Sequence, residues 1–88
     1  MLDVRIHSPA DRVADLIQRI FTRHSLTVPS SYDDDLRDLG LSSLDMVNVV
    51  LSVESEFNVT IPDAEITPTR FRSISTISAL VTTLLPAA

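Results

Sequence analysis

This chain has no cysteine, no tryptophan and no lysine, and a single glycine among its 88 residues. The missing cysteine excludes disulfides, thiolate metal sites and a cysteine nucleophile, and it suits a reducing compartment. With one Tyr and three Phe, the core has to be mostly aliphatic, built from Leu, Ile and Val. No apolar run approaches the roughly 20 residues of a membrane span, and the N-terminus lacks the apolar stretch of a signal peptide. A cytoplasmic protein without membrane insertion is expected. All seven basic residues are Arg, set against 12 acidic ones, for a net charge of −5. That balance serves solubility, disfavours nucleic acid and anionic membranes, and favours partners with basic docking surfaces.

What is present fits one small domain over residues 1–88, with 44% apolar residues and loosely ordered tails expected at 1–7 and 86–88. A monomer is expected. Ser8 is a good N-cap, Pro9 suits the first helical position, and Asp11 stands where the acid of a capping box stands. Val13, Leu16, Ile17, Ile20 and Phe21 then repeat at helical spacing, and the helix fades near His24-Ser25. Residues 26 to about 41 carry Pro29, Ser30, Ser31, Asp33, Asp34 and Asp35 and read as a long ordered loop. Leu26, Val28, Tyr32, Leu36 and Leu39 are its expected anchors.

A second helix is expected from about Ser42 to Phe57, with Ser42 and Asp45 in capping-box relation and Asn58 as its C-cap. Val49, Val50, Val53 and Phe57 form its core stripe. Leu44, Met46, Val47 and Leu51 are apolar beyond that stripe, so either some of this surface stays exposed as a docking patch or loops cover it. Val59 to Pro62 is extended but too short for a sheet. Thr67-Pro68 starts a short helical turn through Phe71. Ser73 or Ser75 caps a last helix with Ile74, Ile77, Leu80, Val81 and Leu84, ended by Pro86. The fold class is all-α: a small four-helix bundle with three longer helices, one short third helix, and a long loop between the first and second.

The most informative stretch is Asp38-Leu39-Gly40-Leu41-Ser42-Ser43-Leu44-Asp45. An irregular acidic segment ends at the sole glycine, a serine pair follows, and a helical pattern begins at once. That layout puts a hydroxyl at an exposed helix start. Without a cysteine, a plausible metal cluster or a catalytic triad, the hydroxyl reads as an attachment point rather than a nucleophile. Ser42 accounts for the cap alone and leaves Ser43 free. The alternative is a solvated first-turn serine.

The stretch resembles the modification site of acyl carrier proteins through Asp38, Gly40, Ser43, Leu44 and Asp45. The resemblance continues through Glu54-Ser55-Glu56-Phe57 and Ile61-Pro62-Asp63, and covers nearly the whole chain from about Val13. It implies a carrier with no catalysis of its own and no metal. A phosphopantetheinyl transferase would move 4′-phosphopantetheine from coenzyme A onto Ser43, and an acyl or aminoacyl group would be held as a thioester. Leu44, Met46, Val47 and Leu51 are the expected apolar partner contacts, Asp45 and Glu54 the charged rim, and Arg70 and Arg72 further contacts.

Several positions depart from the fatty-acid-synthesis carriers. Ser42 stands where Asp usually precedes the modified serine, Asn48 and Ser55 stand where carboxylates are expected, and Arg70-Phe71-Arg72 brings two Arg and an aromatic. This is closer to peptidyl or discrete aminoacyl carriers loaded by a dedicated amino-acid ligase. A tightly packed aliphatic bundle also leaves little space for a long acyl tail. Ile66, Phe71 and Ile74 can equally be core. A fatty-acid or polyketide carrier and an unmodified helical adaptor remain alternatives. A Ser43–His24 hydrolase is disfavoured by the lack of an oxyanion loop. An EF-hand in the acidic loop fails because Arg37 would have to be a ligand and Asp38 a glycine.

Overall fold

The structure, a computed structural model, describes residues 8–85; the expected tails and the Pro86 helix stop lie outside them. Helix α1 spans Pro9–Arg23, α2 spans Ser43–Phe57 and α3 spans Ile74–Leu84. A 3-10 turn covers Asp63–Glu65, and there is no strand among the described residues. α1 packs mainly on α3 and less extensively on α2.

Each helix begins as its sequence dictates. The Ser8 hydroxyl accepts from the Asp11 backbone N–H at 3.2 Å. The Asp11 carboxylate does not complete a box; its Oδ1 accepts from the Tyr32 hydroxyl at 2.8 Å and ties the long loop to α1. Ser42 and Asp45 do form a reciprocal box at α2, and Ser73 rather than Ser75 caps α3, with Thr76 returning the bond. A cap of this kind contributes about 1 kcal/mol. α1 ends in a left-handed Ser25 (φ 58°), with the Leu26 N–H donating to the Phe21 carbonyl at 2.9 Å. α2 ends the same way at Asn58 (φ 54°), where the Val59 N–H donates to the Glu54 carbonyl at 3.1 Å. Both closures satisfy carbonyls that a helix end otherwise leaves without partners.

The core is mostly aliphatic, as the composition requires, with all three Phe among its buried residues. Val13, Leu16, Ile17, Ile20 and Phe21 of α1 are buried, with Val49, Val50, Val53 and Phe57 of α2 and Ile74, Ile77, Leu80 and Val81 of α3. Burying one such side chain stabilises the fold by about 1.5–3 kcal/mol. The long loop inserts Leu36 and Leu41 fully into this core, with Leu26 and Leu39 packed against it. Val28 and Tyr32, expected as anchors, are instead exposed at 37% and 41%. Tyr32 still anchors the loop through polar contacts, since its carbonyl accepts from the Ser75 N–H at 2.9 Å.

The expected short helix over 67–71 is a single turn, closed by the Phe71 N–H on the Thr67 carbonyl at 3.1 Å. It stops there because Arg72 and Ser73 are already committed. The Arg72 carbonyl accepts from the Leu36 N–H at 2.8 Å, and Ser73 is extended (φ −146°, ψ 169°) as the cap of α3. Among the described residues the bundle therefore has three α-helices, and the 3-10 turn lies upstream of the place predicted for the short one. Phe71 is 3% exposed and belongs to the core.

Candidate functional site

The approach to α2 is held by backbone geometry. Asp35 Oδ1 accepts from the N–H groups of Arg37 (2.9 Å) and Asp38 (3.2 Å), a short turn that brings the chain to Gly40. Gly40 adopts φ +117°, a region side-chain-bearing residues rarely enter, and a Cβ there would lie 3.0 Å from Leu26 Cδ2. Leu41 then plugs into the core and Ser42 is extended (φ −84°, ψ 172°), so the helix starts at the next residue.

Ser43 is that residue, and it is exposed. Its hydroxyl makes no hydrogen bond among the described residues, because Ser42 supplies the cap: Ser42 Oγ accepts from the Asp45 N–H at 3.1 Å, and Asp45 Oδ2 accepts from the Ser42 N–H at 2.9 Å. Ser43 lines an apolar cleft of about 210 Å³ between α2 and the turn at 66–71, with Met46, Val47, Val50 and Phe71 in its walls and Arg37 at its edge. The floor of the cleft is the core itself, since Val50 and Phe71 are both buried. The free N–H groups and the dipole at a helix start favour a negative group on such a hydroxyl. An exposed, unpartnered hydroxyl beside an open cleft fits the attachment of a phosphodiester-linked arm.

The other candidate residues divide sharply. Leu44 (74%), Leu51 (56%) and Val47 (51%) are exposed, and Met46 is half-buried against the core. The charged ones are engaged within the molecule. Asp45 serves the capping box and its Oδ1 lies 3.4 Å from His24 Nε2. The Ser42 backbone N–H first, and then the Ser42 hydroxyl, hold the Asp45 carboxyl below the usual Asp range; burial opposes the shift and His24 adds to it. Glu54 Oε2 accepts from the Ile61 N–H at 2.8 Å and pins the chain after α2. Arg70 pairs with Glu65 at 2.9 Å and Arg72 with Asp35 at 3.6 Å.

Sequence reasoning missed the tertiary partners. Arg12 donates from Nε to Glu56 Oε2 (3.0 Å) and from Nη2 to the Glu56 carbonyl (2.7 Å), while its guanidinium lies over the Phe57 ring at 4.4 Å. No spacing rule links residues 44 apart, so nothing in the pattern announced this clamp. Arg37 at the cleft edge carried no signal either. His24 faces Asp45 and makes no hydrogen bond to Ser43, and no group of three His, Asp or Glu among the described residues could hold a metal ion.

Comparison with known proteins meets this geometry. The family described as the phosphopantetheine attachment site matches residues 11–84. Aminoacyl carrier protein 1 of Bradyrhizobium diazoefficiens is 41% identical over 75 residues, 85% of this chain and 83% of that protein. Aminoacyl carrier protein 2 of the same organism is 32% identical over 71 residues, covering 81% of this chain and 80% of that protein. Among solved structures, the chain is similar to one from the crystal structure of the Bradyrhizobium japonicum glycine:[carrier protein] ligase complexed with its cognate carrier protein and an analogue of glycyl adenylate. The TM-score is 0.71 at 40% identity, over 84% of this chain and 96% of that one. A chain from an engineered form of that ligase, complexed with a carrier protein from Agrobacterium tumefaciens and ATP, matches with a TM-score of 0.67 at 28% identity, over 82% and 99% of the two chains. A single family thus accounts for the helical fold, the glycine-led turn and the exposed serine pair: the chain belongs to the phosphopantetheine-attachment family of carrier proteins.

Proposed function

We propose that this protein is a discrete aminoacyl carrier whose 4′-phosphopantetheine is attached at Ser43. The observation that carries the assignment of Ser43 is its exposed, unpartnered hydroxyl in the first turn of α2, beside a cleft. Bound there, the arm supplies the thiol that a cysteine-free chain lacks, and the amino acid is held on it as a thioester. The chain's own residues position and present the arm. The Ser42–Asp45 box keeps the first turn formed, the Gly40 turn sets where α2 begins, and the helix start favours the phosphodiester charge. In this reading the protein has no catalytic activity and works as a cytoplasmic monomer. It is loaded first by a phosphopantetheinyl transferase and then by an amino-acid:carrier ligase; the similarity to a ligase-bound carrier chain supports the second partner.

Incubation with coenzyme A and a promiscuous phosphopantetheinyl transferase should add one phosphopantetheine mass. Ser43→Ala should abolish the addition and Ser42→Ala should not. The reverse pattern refutes the assignment. A fatty-acyl carrier is the second reading, favoured by the apolar cleft beside Ser43. Amide chemical shifts of glycyl and octanoyl forms separate the two. Large shifts at Val50, Val53 and Ile77 confined to the octanoyl form would mark a fatty-acyl pocket.

A further inference from the structure

The net charge of −5 points to a basic partner, yet the grooves on either side of α2 are edged by arginines. Helix α2 carries three carboxylates, and each is engaged at home. Asp45 accepts from the Ser42 N–H, Glu54 from the Ile61 N–H, and Glu56 from Arg12. What α2 shows to solvent is Leu44, Val47 and Leu51, with Asn48 and Ser55 beside them, all on one helical face by their three- and four-residue spacing.

Two grooves flank this ridge. One lies toward the 66–71 turn, has Arg37 at its edge and is lined by no carboxylate. The other lies between α1 and α2 and is lined by Arg19, Arg23, Asn48 and Leu51; its only carboxylate is Glu56, already paired with Arg12. Arg19 is paired with Asp15 in its own helix at 3.4 Å. Arg23 and Arg37 are exposed and make no ion pair among the described residues. Exposed apolar surface of this kind marks an interaction site, and unpaired charges at its border set the sign of the partner's rim.

We propose that the Leu44–Val47–Leu51 ridge docks into an apolar recess of the aminoacyl-loading enzyme edged by carboxylates, which pair with Arg23 on one side of α2 and Arg37 on the other. The proposal rests on the carrier reading above. It departs from the charge pattern that the composition suggests, because the carboxylates of α2 are oriented toward N–H groups and Arg12, whereas Arg23 and Arg37 make no ion pair among the described residues. The ridge supplies affinity through desolvated apolar contact, and the two arginines act on association rate and orientation.

The test uses the full chain in its phosphopantetheinylated form, with the glycine:[carrier protein] ligase of Bradyrhizobium japonicum, glycine and ATP. The readout is kcat/KM for glycyl transfer as a function of NaCl concentration. Arg23→Glu/Arg37→Glu should lower kcat/KM by about tenfold at low salt and flatten its salt dependence. Asn48→Glu, which adds the carboxylate a basic partner would welcome, should lower it as well. Val47→Asp and Leu51→Ala should lower it at every salt concentration. Circular dichroism confirms that each variant folds, which exposed positions permit. If Asn48→Glu and the double arginine variant load faster than the wild type, the partner's rim is basic and the proposal is overturned while the carrier reading stands. If phosphopantetheine is added at Ser43 but the wild type is not glycylated, the aminoacyl reading falls and takes this proposal with it.

Discussion

Replacing Arg12 by Ala removes the clamp that joins α1 to the far end of α2. Three interactions are lost together. The bond from Nη2 to the Glu56 carbonyl, at 2.7 Å, satisfies one of the last carbonyls of α2. A charge-assisted bond contributes about 1.5–3 kcal/mol, and partial exposure brings this one to about 1 kcal/mol. The ion pair to Glu56 joins side chains that are 35% and 33% exposed, so solvent screening holds it to about 0.5 kcal/mol. The guanidinium over Phe57, 4.4 Å from the ring centre, adds about 0.5–1 kcal/mol. The expected loss is therefore about 2–2.5 kcal/mol, a large share of the roughly 4–13 kcal/mol available to a domain of this size. Thermal unfolding followed by far-ultraviolet circular dichroism should show Tm lower by about 10–20 °C. Glu56→Gln keeps the carbonyl bond and the ring contact, so it should cost under about 1 kcal/mol. Arg12→Lys keeps the charge but not the two-pronged geometry, and should recover less than half of the loss. An Arg12→Ala protein within about 0.5 kcal/mol of the wild type in urea unfolding would refute the clamp.

The Asp45 carboxyl titrates lower in the folded state than in the unfolded chain, so its contribution is fully present above the ordinary Asp value of about 4 and fades as pH falls through the folded value. The stability gap between wild type and Asp45→Asn should therefore be widest near neutrality and shrink below about pH 4, as read by urea midpoints. A gap independent of pH would show that the carboxylate charge is irrelevant to the cap. Gly40→Ala forces a side chain into φ +117° against Leu26 and should destabilise by about 1–3 kcal/mol in the same assay; a neutral result would mean the turn before Ser43 tolerates another backbone path.

Local signals in the sequence determined the helices and their starts. Ser8, Ser42 and Ser73 cap because a short hydroxyl in an extended residue reaches an N–H three residues ahead, and the buried faces of all three helices follow the 3.6-residue repeat. The sole glycine before a serine pair marked the candidate site, and the turn there does adopt φ +117°. Tertiary structure decided what those local rules do not reach. Whether Asp11 completes a box or binds Tyr32 depends on where the loop passes, and whether residues 67–71 make a helix depends on Arg72 being held by Leu36. The fate of charge was settled there too. Glu54, Arg70 and Arg72 read as surface charges in the sequence, and folding gives each a partner; Asp45, already expected in the capping box, gains His24 as a neighbour. Leu44, Val47 and Leu51 remain exposed because one helix cannot turn two faces to a single core. Apolar patterning follows from covalent periodicity along the chain, whereas the pairing of charges depends on which segments meet in space.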